Sequence, residues 1–158
     1  MTLHIFIWSG LLALLPISEL RGAIPYALAN GIPVVVSFLY CTALNALVAP
    51  IVYLFLSTIH RLLYRIAGYR RLFDRIIERA RSKMQEKVER YGYVGVMLFV
   101  AIPLPVTGAY TGTLGAWILG LDRRKTFLAV AAGVCIAGVI VTTVSVLGIK
   151  ALSIFVKH

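Results

Sequence analysis

Glu19 and Arg21 are the only formally charged residues between Ile5 and Leu56, a long apolar stretch. A charge at membrane depth costs roughly 2.5–3.5 kcal/mol on insertion scales and is seldom kept without a role. The two flank Leu20 inside the segment Pro16-Ile17-Ser18-Glu19-Leu20-Arg21-Gly22-Ala23-Ile24-Pro25. Two prolines so close forbid a plain continuous helix. Broken backbone together with buried charge is the pattern of a transport site and not of a lipid-facing anchor. Arg21 brings a permanent cation whose planar fork matches phosphate. Glu19 can carry a proton and couple its movement to transport, or it can hold Arg21 in place. Alternatively the two neutralise each other as a structural pair. Their i,i+2 spacing does not set them side by side on a regular helix.

A second break follows at Pro103-Leu104-Pro105-Val106-Thr107-Gly108. Around both breaks stand hydroxyl donors, Ser18, Thr107, Tyr110 and Thr111. Glycines stand there too, Gly22, Gly108 and Gly112, where backbone can approach a ligand closely. Half-helix N-termini at such breaks favour anions. The hairpin-breaking residues are thus Pro16, Pro25, Pro103 and Pro105, and the expected ligand is an anionic head group whose apolar remainder stays in lipid. Asn45 lies near the middle of an apolar span and either lines the site or bonds helix to helix. Trp8 and Trp117 read as membrane-interface anchors. His4, His60 and His158 have no ligand spacing, and no nucleophile stands with a base. No enzyme, no metal and no cofactor is expected, apart from proton or other ion coupling. Cys41 and Cys135 read as small buried hydrophobes without a disulfide.

The elements that must position these residues follow from hydropathy. The 158 residues are 60% hydrophobic, with mean hydropathy +0.90, against 45–50% apolar in a soluble domain. That composition makes the chain an integral membrane protein. Met1–Leu15 lacks a basic n-region, so a cleaved signal peptide is not expected. Val34–Ser57 and Phe127–Ile149 are long enough to span. Residues 5–29 and 93–121 are apolar but interrupted. In Phe127–Ile149, Ala129, Gly133 and Ala137 form a small-residue stripe suited to close helix packing.

The net charge is +10, and ten of the 16 Lys and Arg fall between Arg61 and Arg90. Apolar residues in this region recur in steps of three and four, and Glu86 and Arg90 are spaced as an i,i+4 pair. Residues 58–92 therefore read as a basic amphipathic helical arm, broken or bent near Gly68, that is cytoplasmic and either lies on the membrane surface or projects from it, with membrane lipid rather than nucleic acid as its partner. The turn Asp122-Arg123-Arg124-Lys125 is basic as well. Both basic regions stay on the cytoplasmic side if residues 93–121 dip in and return as a re-entrant hairpin. The same logic makes 5–29 a re-entrant hairpin from outside, with both termini outside.

The predicted fold is all-α and integral to the cell membrane. A first repeat, 1–57, holds hairpin 5–29 and span 34–57. The arm 58–92 joins it to a second repeat, 93–158, with hairpin 93–121 and span 127–149, in inverted orientation. A gapless shift of 89 positions lays Leu15, Pro16, Ile17, Ser18, Ala27 and Gly31 on Leu104, Pro105, Val106, Thr107, Ala116 and Gly120. A small bundle enclosing a polar site also points to a homo-oligomer, most simply a dimer.

The segments PISELRGAIP (Pro16–Pro25) and PLPVTGAYTG (Pro103–Gly112) resemble the family named putative small multidrug export proteins, over nearly the whole chain. More distantly, the architecture resembles the DedA (VTT-domain) group. The first resemblance implies export of small molecules. The second implies re-entrant hairpins and movement of lipids such as polyprenyl phosphates, although the second hairpin here carries no charge from Tyr93 to Leu121. The expected function is transport of a small anionic amphiphile, such as a lipid phosphate, by alternating access between opposed hairpins. The alternatives are a proton-coupled small multidrug exporter using Glu19, and a non-transporting membrane protein whose arm docks a partner or anionic lipid.

Overall fold

Proline and glycine decide where the helices of this chain begin and end. The computed structural model describes residues 2–58, 63–104 and 107–156. Its elements are α1 (Thr2–Leu14), α2 (Glu19–Ala29), α3 (Val34–Ala46), α4 (Val48–Ser57), α5 (Ala67–Tyr91), α6 (Tyr93–Ala101), α7 (Ala109–Ile118) and α8 (Arg123–Val156). Pro105 and Arg61 lie outside the described residues, as do His60, Val106 and His158 and the side chains of residues 77, 79–87 and 89, among them Glu86 of the expected pair with Arg90.

Two helical stretches are long and apolar enough to cross a membrane. They are Val34–Ser57, with 24 residues at hydropathy 2.0, and Arg123–Ala151, with 29 residues at 2.5. The first is interrupted at Leu47. Pro50 has no N–H for the Ala46 carbonyl, and its ring crowds that carbonyl, so α3 stops at Ala46. The second begins earlier than hydropathy suggested. Asp122 caps it, its Oδ1 accepting from the Lys125 N–H at 3.0 Å, so Arg123-Arg124-Lys125 form the first turn of α8. The arm's break falls just ahead of Gly68. α5 runs unbroken from Ala67 to Tyr91, with Gly68 in its first turn, and the break lies ahead of it at residues 64–66.

The chain packs as two compact units. One comprises the residues up to Asn45 together with those from Cys135 onward; the other is Ala46–Val134. In the first, α1 and α2 pack together as a helical hairpin. At about 1.5 Å per residue, these 13- and 11-residue helices are each shorter than the ~30 Å apolar thickness of a bilayer. α3 lies along α1, where the Tyr40 hydroxyl donates to the Phe6 carbonyl at 3.0 Å and the two rings meet edge to face. Gly138 of α8 lets Thr42 and Phe38 come close, since a Cβ there would stand 2.7 Å from Thr42 Oγ1. Cys41 is buried, Cys135 is exposed, and both are free.

In the second unit, α6 and α7 form another pair of short helices in contact. A Cβ on Gly112 would run into Val100, and one on Gly133 would stand 2.6 Å from the Met97 carbonyl. Two of the three members of the small-residue stripe, Ala129 and Gly133, therefore lie in this unit, Ala129 buried and Gly133 at the α6 contact.

Candidate functional site at the first helix break

A helix that ends leaves its last four carbonyls without intrahelical donors, and in an apolar setting each must be satisfied. α1 solves this one carbonyl at a time. The Leu11 carbonyl accepts from the Leu15 N–H at 3.0 Å. The Leu12 carbonyl would have taken the N–H of residue 16, but that residue is proline. The Ser18 hydroxyl donates to it instead, at 2.5 Å. The Ala13 carbonyl accepts from Asn45 Nδ2 on α3, at 2.8 Å. Asn45 and Ala13 are both fully buried. Asn45 thus secures the break rather than opening toward a ligand, and Ser18 commits its proton to the backbone. Gly22 makes room for this, because a Cβ there would stand 2.8 Å from Ser18 Cβ.

Glu19 opens α2 and has φ 45°, the one non-glycine residue with positive φ among those described. A side chain in that region costs about 1–2 kcal/mol, and such outliers gather at functional sites. Glu19 is also only 6% exposed. Its place in the first turn sets its carboxylate near the positive end of the α2 dipole. Arg21, two residues on, is half-buried. Of the two charged residues, Glu19 is therefore the more deeply buried. Pro25 removes the N–H that would bond the Arg21 carbonyl. The turn itself presents Leu15, Pro16 and Ile17 outward, Ile17 at 92% exposure. Turns facing water are polar as a rule; this one is apolar.

The second break is built alike but without charge. Thr107 Oγ1 accepts from the Leu104 N–H at 3.1 Å and lies 2.5 Å from the Ile102 carbonyl. Gly108 (φ 143°) starts α7 in a conformation that favours glycine. Tyr110 and Thr111 are half-buried on the first turn of α7. Ser18, Glu19, Arg21, Gly22 and Asn45 thus gather in one unit, and Thr107, Gly108, Tyr110 and Thr111 in the other. Among the described residues no three of His, Cys, Asp and Glu cluster as metal ligands.

A repeat of local structure accompanies the two breaks. α2 ends with Gly31 at φ 84°; the Ile32 N–H bonds the Ala27 carbonyl at 3.1 Å and the Gly31 N–H that of Leu28. α7 ends with Gly120 at φ 69°; the Leu121 N–H bonds the Ala116 carbonyl at 3.0 Å and the Gly120 N–H that of Trp117. Both are Schellman caps, and they fall 89 positions apart. The next helices, α3 and α8, start at Val34 and Arg123, again 89 apart. Ser37 and Thr126, the matching buried hydroxyl residues of those helices, were not singled out from sequence, though the same shift reaches them.

Residues 19–140 match the model of the family described as "Putative small multi-drug export protein". The chain belongs to that family. The match runs from the buried carboxylate of the first break through the arm and the second break into α8. With its apolar helices, membership in this family makes the chain a membrane protein. Comparisons with curated proteins and with solved structures give no match.

Proposed function

We propose that this family member is an exporter that moves a small amphiphile with an anionic head group across the cell membrane, and that the α1–α2 turn binds the head group. One observation carries this reading: at the break Glu19 is buried while Arg21, two residues on, is only half-buried. On this reading Arg21 is the charged group that a ligand meets. The exposed Leu15, Pro16 and Ile17 supply an apolar surface for the rest of the molecule, and the family's name supports export of small molecules. A lipid phosphate is the head group that best suits a guanidinium fork. No catalytic group and no cofactor take part.

The same proposal reads each pair of short helices as a re-entrant hairpin, entered from opposite faces of the bilayer, with alternating access to the head-group site. Apolar turns, helices too short to span and two Schellman caps 89 positions apart support it. The arm is then cytoplasmic and the termini outside. Cysteine accessibility tests this: residues 70 and 123 should label from one side and residue 30 from the other. The exposed apolar turn also favours a dimer, testable by cross-linking at residue 17. For transport itself, the purified protein in liposomes should flip a fluorescent lipid phosphate, and Arg21→Gln should stop it with the fold intact. Unchanged flipping by that variant would sink the reading.

A second reading is favoured by a different observation, the burial of Glu19 on left-handed backbone. It makes Glu19 a proton-exchanging group in an exporter of cations. Cation efflux that needs Glu19 and a pH gradient, and survives Arg21→Gln, would support it over the first.

A further inference from the structure

At the start of the arm helix, lined by no residue of either break, lies a cavity of about 520 Å³ formed by Tyr64, Arg65, Ala67, Arg70, Arg71 and Asp74. Its walls are braced on one side. The Tyr64 hydroxyl donates to Asp74 Oδ1 at 2.9 Å, Arg70 Nε stands 3.9 Å from Asp74 Oδ2, and the Arg70 guanidinium lies over the Tyr64 ring at 5.6 Å. Phe73 packs edge to face on Tyr64 and stacks with Tyr69, holding this corner together. Arg65 and Arg71 are exposed and take no part in that brace. Three guanidiniums against one carboxylate leave the cavity with a net charge of two.

We propose that this cavity binds the head group of an anionic membrane lipid, specifically a phosphate monoester. A monoester carries about −1.5 to −2 charge at neutral pH, which matches the cavity, whereas a diester carries half of that. Guanidinium forks pair with phosphate oxygens in two-point hydrogen bonds. Surrounding side chains choose a lipid over a free phosphate. Ile66, Leu72 and Ile76 are 56%, 57% and 43% exposed beside the arginines, a wasteful display in water and a useful one against acyl chains. The chain also leaves its apolar span at Ser57, only ten residues before α5 begins, which keeps the cavity within reach of the bilayer surface. This site is independent of the transport reading and stands if that reading fails.

The test uses the full chain in detergent and short-chain lipids. Dioctanoyl phosphatidic acid is titrated, with dioctanoyl phosphatidylglycerol, dioctanoyl phosphatidylcholine and inorganic phosphate as comparisons. Phosphatidic acid should bind more tightly than all three. Arg65→Gln with Arg71→Gln leaves the Tyr64–Asp74–Arg70 brace in place and should weaken phosphatidic acid roughly thirtyfold, about fivefold for each arginine at an anionic surface. The matched pair Arg90→Gln with Arg124→Gln, which removes equal charge from exposed positions outside the cavity lining, should change binding less than about twofold. An equal loss in the matched pair would overturn the site in favour of charge alone. Inorganic phosphate binding as tightly as phosphatidic acid would overturn the lipid assignment. Phosphatidylglycerol binding as tightly would overturn the monoester.

Discussion

Replacing Asn45 by alanine should loosen the first break more than any exposed change nearby. Asn45 Nδ2 donates to the Ala13 carbonyl at 2.8 Å, and both residues are fully buried. Without the amide, that buried carbonyl loses the donor that Asn45 supplies. Leaving one buried acceptor unpaired costs roughly 1–3 kcal/mol. For a chain of this size, about 2–4 °C of melting temperature follows each kcal/mol, so Asn45→Ala should lower the midpoint by about 2–12 °C. Melting of the purified protein in detergent can be followed with a thiol-reactive dye at Cys41. Cys41 is buried and Cys135 exposed, so a Cys135→Ser background gives a clean signal. Asn30→Ala is the matched control. Its amide makes an equally short bond, to the Tyr26 carbonyl at 2.8 Å, but on an exposed site where water takes over; it should move the midpoint by no more than ~1–2 °C. If Asn45→Ala melts with the parent, the Ala13 carbonyl is satisfied by other means and the account of how the break is held is wrong.

Glu19→Gly should be more stable than Glu19→Ala by about 1 kcal/mol, because both lose the carboxylate but only alanine keeps a Cβ at φ 45°; equal melting would deny the left-handed backbone there. Gly22→Ala should push Ser18 off the Leu12 carbonyl and destabilise by about 1–3 kcal/mol, a loss that hydrogen exchange should localise to the end of α1. Two glycines of α8 should respond with opposite signs. Gly133→Ala meets the Met97 carbonyl at 2.6 Å and should destabilise, whereas Gly148→Ala meets nothing within 4 Å and should gain up to about 1 kcal/mol of helix propensity. Melting both variants side by side checks the close packing of α6 on α8.

Much of this was legible in the residues. Pro16 and Pro103 announced two breaks, hydropathy announced two spans, and the family resemblance was carried by PISELRGAIP. The shift of 89 positions noticed between Gly31 and Gly120 proved to join two helix caps of the same kind. What sequence did not reveal was how the backbone's hydrogen bonds would be balanced. Ser18 and Thr107 looked like ligand donors, yet each turns its hydroxyl onto backbone carbonyls of its own break. For Ser18 the signal was available, since a proline at position 16 always deprives the carbonyl four residues earlier. Asn45 was open between two roles because its partner is 32 positions away. The break expected near Gly68 lies just ahead of it, at residues 64–66, and Gly68 itself falls in the first turn of α5. Neither the burial of Glu19 nor its left-handed backbone has a sequence signature; both arise only when α1 and α2 pack.

The claim at the centre of this account is that Arg21 is the charge a ligand meets. It is tested most directly by flipping of a fluorescent lipid phosphate in liposomes holding the parent, Arg21→Gln or Arg21→Lys, with melting midpoints measured alongside. The account predicts that glutamine abolishes flipping, that lysine restores part of it by charge without the fork, and that all three melt alike. Flipping by Arg21→Gln at the parental rate would contradict it.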